Sequence, residues 1–303
     1  MDPQKIVNEI NGKIEQFMDG LPDLARSSYK DIQGLLNQLK LNASGNIRVS
    51  VENLRLINRI KIRLQDRIIG DAYIGKLNDL SSSFNDVSKL QSQYFADVFS
   101  DFEAPEVINE MRRVSLNSTL ESLSESTINN TVIQGAMDIL EEDIISGASF
   151  MDMNEKLKDF MVGNKDVDPK LVSYSKQVLT DSLNQYTANY QKLVTDDLGL
   201  KWYQYVGPLV AASRPICDAL VKKEWVHETE LGGISRGIVN GKNVGTEGMI
   251  PGTNSRNFQS NRGGYNCNHL LVPVAEEAVP KAIRIKLYNE KNIEYNEDGI
   301  AIG

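Results

Sequence analysis

Proline and glycine are distributed unevenly along this chain of 303 residues, and that distribution constrains the fold more than any motif does. Residues 23–104 contain no proline, whereas ten of the 22 glycines lie between Gly207 and Gly264. Because proline ends helices and glycine supplies turns, the first two thirds should be helical and the last third rich in loops. The predicted fold class is mainly α: a long-helix bundle in the N-terminal part, followed by a small α+β, loop-rich C-terminal module.

Apolar residues recur at intervals of three and four positions in three long segments, at residues 51–69, 77–98 and 172–193. This spacing places apolar side chains on one face and predicts amphipathic helices that pack against other helices. In the first segment, Leu56, Ile62 and Ile69 widen the apolar face. We therefore expect that helix to be buried on more than one side.

Two further patterns indicate where helices begin and end. Asp2-Pro3 and Asp168-Pro169 each place a capping side chain before a proline, which predicts a helix start. Residues 115–131 are rich in serine, threonine and asparagine, which compete for backbone hydrogen bonds, so we predict a break there. The predicted division is a helical N-terminal region at residues 1–128, a helical lead-in at 129–198 and a C-terminal module at 199–303.

The pattern changes after Gly199. Residues 200–206, LKWYQYV, are aromatic and β-branched and predict a strand. Ser213 is predicted to cap a short helix that has Pro215 in its first turn. Residues 232–264 have few large apolar groups and predict a long loop held by other elements.

Residues 265–274 are predicted to return to extended chain. In an extended segment alternate side chains share a face, so Cys267, His269 and Leu271 should point one way. The glycines nearby form neither a phosphate loop nor a dinucleotide fingerprint, and no pair of carboxylates stands out for acid/base chemistry.

Composition excludes several classes of protein. Hydrophobic content of 41% and charged content of 24% are typical of a globular chain rather than a disordered or fibrous one. No apolar run reaches the length that spans a bilayer, and no secretory signal is visible, so we expect an intracellular protein without a membrane partner. The net charge of −8 argues against broad binding of duplex DNA through phosphate neutralisation.

One local segment departs from the acidic average. Between residues 47 and 67, six cations stand against Glu52 and Asp66: Arg48, Arg55, Arg59, Lys61, Arg63 and Arg67. A solvated helix face that meets an acidic partner explains this segment as well as nucleic acid does. The solvated face is favoured, because no aromatic residues are interleaved with the basic ones for stacking. We predict it as a partner-binding surface.

The chain has two cysteines and two histidines, Cys217, His227, Cys267 and His269. They match zinc ligands in type and number, although their spacing is not that of a standard zinc knuckle. The alternative is that both cysteines are small buried apolar groups and the histidines bond backbone carbonyls. A Cys217–Cys267 disulfide and a cysteine nucleophile with a histidine base are further alternatives.

Four stretches carry a resemblance to a known family. They read DLGLKWYQYVG at 197–207, SRPICDAL at 213–220, VHETEL at 226–231 and PGTNSRNFQSNRGGYNCNHLLVPV at 251–274. In this order they resemble the minor head, or head morphogenesis, proteins of tailed bacteriophages, the MuF-like family. Members show an aromatic strand ending in glycine, an arginine shortly before a cysteine, a glycine-rich loop and a closing Asn-Cys-x-His or Asn-Cys-x-Cys before Pro-Val.

The positions that match this pattern are Arg214, Cys217, Gly263, Gly264, Asn266, Cys267, His269 and Pro273. The resemblance covers about residues 130–282, and Asn268 stands where many members carry arginine, so that arginine's role is not transferred. About thirty residues follow Val274, too few for an independent effector domain. We therefore expect Cys267 and His269 to close the module against Cys217, with zinc as the main alternative.

The resemblance implies a minor structural protein of the phage head, not an enzyme and without a required cofactor. It would act in capsid morphogenesis at or near the portal, with the portal protein or the major capsid protein as partner. Its location would be the virion, in the head interior or portal region, after the host cytoplasm during assembly. The alternatives are a zinc-dependent hydrolase or nuclease with Glu228 as base, and an internal virion protein that contacts packaged DNA.

Overall fold

The computed structural model describes residues 2–99 and 101–302. The protein is mainly helical, with 64% helix and 8% strand, which confirms the predicted fold class. The α-helices are α1 (Gln4–Met18), α2 (Leu21–Leu36), α3 (Val51–Ile68), α4 (Asp71–Val98), α5 (Val107–Ser122), α6 (Glu125–Ile128), α7 (Gln134–Ser146), α8 (Phe150–Val162), α9 (Lys170–Leu198), α10 (Pro215–Lys223), α11 (Leu231–Ile234), α12 (Phe258–Asn261) and α13 (Lys281–Lys291). The strands are β1 (Trp202–Val206), β2 (Trp225–His227), β3 (Ile238–Val239), β4 (Lys242–Asn243) and β5 (Leu270–Val274).

The chain divides into two compact units, each assembled from separate stretches of sequence. The sheet unit comprises residues 1–12, 84–115 and 180–303, and the helical unit comprises residues 13–83 and 116–179. Helices α1, α4, α5 and α9 each contribute residues to both units. These units therefore differ from the three consecutive segments that composition and motifs suggest.

In the helical unit, α2 packs on α3 and α8, and α7 packs on the same two helices. Helix α3 buries one stripe, which includes Leu56, Ile60 and Leu64. Ile62 is 57% exposed, so the expectation that this helix is buried on more than one side is wrong. The reason is rotational: a residue two positions from Ile60 points away from the stripe that packs against α2 and α7. Within residues 2–99 and 101–302, no helix is long and apolar enough to cross a membrane.

The predicted helix boundaries have mixed outcomes. The Asp2 carboxylate accepts a hydrogen bond of 2.9 Å from the Gln4 N–H and caps α1 as predicted. The break predicted within residues 115–131 is confirmed but short, since α6 begins just after Ser124, whose hydroxyl accepts from the Thr127 N–H. Ser213 does not cap α10. Its hydroxyl accepts from the Val210 N–H at 2.8 Å instead, and Arg214 occupies the capping position.

The sheet unit is built around a three-stranded antiparallel sheet in the order β2-β1-β5. The strand predicted at 200–206 is confirmed as β1, whereas the extended segment predicted at 265–274 forms a strand only from Leu270. In the register, Trp202 pairs with His227 and Val274, Tyr203 with Val226 and Pro273, and Tyr205 with Leu271.

The alternation of side chains along β1 creates a core on each face of this sheet. Trp202 lies on one face with Val274, Val279, Leu287 and Tyr288, which we call the Trp202 face. Tyr203 and Tyr205 lie in the other, larger core, which we call the Tyr205 face and which includes Ile216, Cys217, Leu220, Phe258, Cys267 and Leu271. The candidate site lies on the Tyr205 face.

Candidate functional site

Arg214 joins the start of α10 to the glycine-rich segment that precedes β5. One guanidinium nitrogen, Nη1, donates to the Gly263 carbonyl and the other, Nη2, donates to the Tyr265 carbonyl, both at 2.7 Å. A planar guanidinium with two fixed donors suits two carbonyls that lie close together. This contact holds residues 263–265 over α10.

Cys217, Cys267 and His269 come together beneath that segment. Their candidate ligand atoms all lie within 4.8 Å of one another, and all three residues are buried. The Cys267 sulfur lies 3.7 Å from His269 Nδ1. Both cysteines are free thiols, so the structure contains no Cys217–Cys267 disulfide.

Tyr205 borders this group from β1. Its ring stacks on the His269 ring at a centroid distance of 5.3 Å and an interplanar angle of 15°. Its hydroxyl donates to the Cys217 sulfur at 3.5 Å. The alternation predicted for residues 267–271 agrees with this placement, because Cys267 and Leu271 share the core of the Tyr205 face and His269 stacks on Tyr205.

Gly263 presses directly on the two sulfurs. A Cβ atom at this position would stand 2.5 Å from the Cys217 sulfur and 2.9 Å from the Cys267 sulfur, both closer than van der Waals contact allows. Gly264 has a φ of +97°, a conformation that residues with side chains rarely adopt. The Gly263-Gly264 pair is therefore a packing requirement of this site.

The pKa values of the two thiols shift in opposite directions. Hydrogen bonding between them lowers the pKa of Cys267 and raises that of Cys217, because one thiol donates to the other sulfur. His269 and Arg262 lower the pKa of Cys267 further. Burial raises the pKa of the Tyr205 hydroxyl well above its ordinary value, so it stays a neutral donor.

Helix α9 is hydrogen-bonded to the segment that carries Arg262, Asn266 and Cys267. The Arg262 side chain is buried and donates through Nη1 to the Asn184 carbonyl at 2.8 Å, and the Asn184 side chain donates to the Cys267 carbonyl at 3.3 Å. The Asn266 N–H, at a left-handed φ of +59°, donates to the Asp181 carboxylate. Burial raises the pKa of Asp181, while the bond from Asn266 and the charge of Arg262 oppose that rise.

Pro273, the last of the motif residues, lies in β5. Its carbonyl accepts a 2.8 Å hydrogen bond from the buried Tyr94 hydroxyl of α4. All eight motif positions thus lie in the sheet unit. Pro273 belongs to β5, and the others form or contact the segment that precedes this strand.

His227, the fourth residue predicted as a zinc ligand, lies elsewhere. It pairs with Trp202 in the register, which puts its side chain on the Trp202 face, and its ring contacts the Trp202 ring at a centroid distance of 4.8 Å. Its Nδ1 accepts from the Thr229 N–H, and its own backbone N–H donates to the Glu230 carboxylate, so it caps the turn after β2. The sheet therefore lies between His227 and the two cysteines, which are on the Tyr205 face. Glu228, the base in the enzymatic alternative, is exposed in that turn.

The six cations of the basic segment do not form one uniform surface. Arg48, Arg55 and Arg59 are exposed. Lys61 donates to the Gln134 side chain at 3.0 Å. Arg63 and Arg67 both approach the Asp31 carboxylate, at 3.8 and 3.2 Å. Helix packing thus engages half of the predicted partner-binding residues within the helical unit.

A cavity that sequence reasoning missed opens on the sheet unit, with a volume of about 690 Å³. The half-buried Trp225 lines it together with four exposed cations, Lys222, Arg236, Lys286 and Lys291. Glu230 and Glu290 also line the cavity, and Lys222 pairs with Asp218, so the lining carries both signs of charge. The cations come from three separate segments, so no charge run in the sequence indicates them.

Comparison of the chain with protein-family models, with curated proteins and with solved structures gave no match.

Proposed function

We propose that this chain is a minor structural protein of a tailed-phage head that acts in capsid morphogenesis at or near the portal and is packaged in the particle. The observation that supports this is the place of the motif residues in the fold. Residues that carry the resemblance are spread between Arg214 and Pro273, yet they meet around one buried core on the Tyr205 face.

Three of these residues have packing roles that explain their presence without catalysis. Arg214 fixes the segment at 263–265, Gly263 allows that segment to reach the sulfurs, and Cys267 is held by Asn184 of α9. A set of residues with mutual packing roles is what a structural module requires. The proposed protein is therefore non-enzymatic.

The proposed partner is the portal protein, the major capsid protein or both. The apolar faces of the long helices α4 and α9 are buried within the chain, so the partner would contact other surfaces. The exposed Arg48, Arg55 and Arg59 of the basic segment offer one such surface for an acidic partner. The proposed location is the head interior or the portal region of the virion, after assembly in the host cytoplasm.

Quantitative mass spectrometry of purified particles tests this proposal. In a phage that encodes the chain, we expect a low and reproducible number of copies relative to the portal protein, and defective particles when the gene is deleted. Absence from mature particles despite expression, or normal infectivity after deletion, contradicts the proposal.

A matched pair of variants links the measurement to the fold. Arg214→Gln removes both carbonyl contacts and should reduce incorporation into particles. Arg256→Gln changes an exposed arginine of the same glycine-rich region and should not. Equal incorporation of the two variants means that the motif core is not what the assembly requires.

A further inference from the structure

The group formed by Cys217, Cys267 and His269 contains both cysteines of the chain and one of its two histidines. The three residues come from α10 and from the segment that leads into β5, so the fold, not local sequence, brings them together. Small buried cysteines alone need no such convergence, because apolar burial does not require the sulfurs and an imidazole nitrogen to face one another.

One distance in the group matches that of a tetrahedral zinc centre. Zinc binds sulfur at about 2.3 Å and imidazole nitrogen at about 2.0–2.1 Å, so ligand atoms in a tetrahedron lie about 3.5–3.8 Å apart. The Cys267 sulfur and His269 Nδ1 are 3.7 Å apart, and the group as a whole lies within 4.8 Å. To bind one ion, the more distant atoms of the group would have to approach one another by up to about 1 Å.

The donors of this group can balance the charge of a bound ion. Both thiols are buried, and a charge in a buried place must be compensated. Binding one Zn²⁺ releases the two thiol protons to solvent and leaves two thiolates that neutralise the ion, which gives a centre without net charge.

The surroundings supply outer contacts of the kind that orient metal ligands. The Tyr205 hydroxyl donates to the Cys217 sulfur, and the Tyr205 ring stacks on the His269 imidazole. Such second contacts fix the direction of a ligand and commonly change metal affinity about 10–100-fold when removed.

We propose that Cys217, Cys267 and His269 bind one zinc ion, which fastens α10 to the segment before β5. Soft thiolate donors with an imidazole select zinc over magnesium or calcium. This ligand set differs from the four-residue set suggested by spacing, because His227 lies on the Trp202 face. The zinc site does not depend on a role in a phage head.

Metal analysis of the full-length protein, purified without chelator, tests the site. We expect about one zinc per chain in the wild type and almost none in Cys217→Ser, Cys267→Ser and His269→Asn. His227→Asn is the matched control and should keep its zinc. Zinc that remains in the three ligand variants, or that disappears only in His227→Asn, overturns the proposal.

Because a ligand variant could simply misfold, two further measurements use proteins that keep all three ligands. Wild-type protein stripped by a chelator and titrated with Co²⁺ should develop thiolate-to-cobalt absorption at one equivalent. Tyr205→Phe should bind zinc about 10–100-fold more weakly while keeping the same stoichiometry. A wild type with no zinc, no cobalt band and two freely titratable thiols overturns the proposal, as does a disulfide between the cysteines.

Discussion

At the scale of single residues, Gly263 makes the most specific prediction about stability. It has no left-handed φ, so a side chain there is opposed only by space, and the two sulfurs occupy that space. Gly263→Ala should lower the free energy of unfolding by about 1–3 kcal/mol, the usual range for overpacking a core. Denaturation by urea, followed by circular dichroism, measures the change.

Gly34 provides the control for this substitution. It lies inside α2, and a Cβ atom added there would have no neighbour within 4 Å. Gly34→Ala should therefore stabilise the protein by about 0.5–1 kcal/mol through helix propensity. If both substitutions change the free energy of unfolding in the same direction, the contact with the sulfurs does not determine the effect of Gly263→Ala.

His227 predicts a pH dependence of stability. Burial, followed by the charges of Lys201 and Lys291, lowers its pKa from 6.5 to about 4. The unfolded chain therefore binds a proton at a higher pH than the folded chain does. Stability from this residue is complete above about pH 6.5 and falls as the pH drops toward 4, by about 2–3 kcal/mol at about pH 4.5.

The measurement compares urea denaturation of the wild type and His227→Asn across this pH range. Asparagine keeps an acceptor for the Thr229 N–H but does not titrate, so the control isolates the histidine from carboxylates that titrate nearby in pH. The variant should lose less stability between about pH 7 and about pH 4.5 than the wild type does. Parallel curves for the two proteins contradict the assigned environment of His227.

At the scale of elements, helices could be predicted better than the pairing of strands. Helices α3, α4 and α9 follow from the periodicity of their apolar residues, and β1 from its aromatic and β-branched composition. The register of β1 with β2 could not be predicted, because Trp202, Tyr203 and Tyr205 put aromatic rings on both faces. Without the register, His227 could be grouped with the cysteines as a fourth zinc ligand. The register places it on the opposite face of the sheet.

Asn53 is an element-scale feature that periodicity does not indicate. It is buried at the start of α3, where its side chain accepts from the Lys40 N–H and donates to the carbonyls of Lys40 and Arg48. These three bonds tie the segment before α3 to the helix. Asn53→Ala should cost about 1–3 kcal/mol, because it removes three hydrogen bonds made by a buried side chain.

Asn58 is the matched control on the same helix, since it is exposed. Asn58→Ala should change the free energy of unfolding by less than about 0.5 kcal/mol. Thermal melting of both variants measures the difference. Equal melting temperatures would mean that the three bonds of Asn53 are replaced by water at no cost.

At the scale of the whole molecule, the division into two units could not be predicted from the sequence. Composition changes at Gly199, which suggests a module that begins there, but the sheet unit also draws on residues 84–115 and 180–198. A long helix reads as one continuous pattern, and nothing in its periodicity shows that its two ends join different cores. The candidate site could be predicted to its three central residues, while its supports from Asn184 and Tyr94 could not.

The last prediction concerns the segment 199–303 expressed alone. It lacks Asn184, which holds the Cys267 carbonyl and accepts from Arg262, and Tyr94, which bonds the Pro273 carbonyl. We expect weak amide protection in β1 and β5 by hydrogen exchange and no cooperative melting. The full-length protein has all three contacts and is the control, which should show both properties. Cooperative melting of 199–303 alone, with protected strands, would show that these contacts add little and that the module folds within the boundaries its motifs suggest.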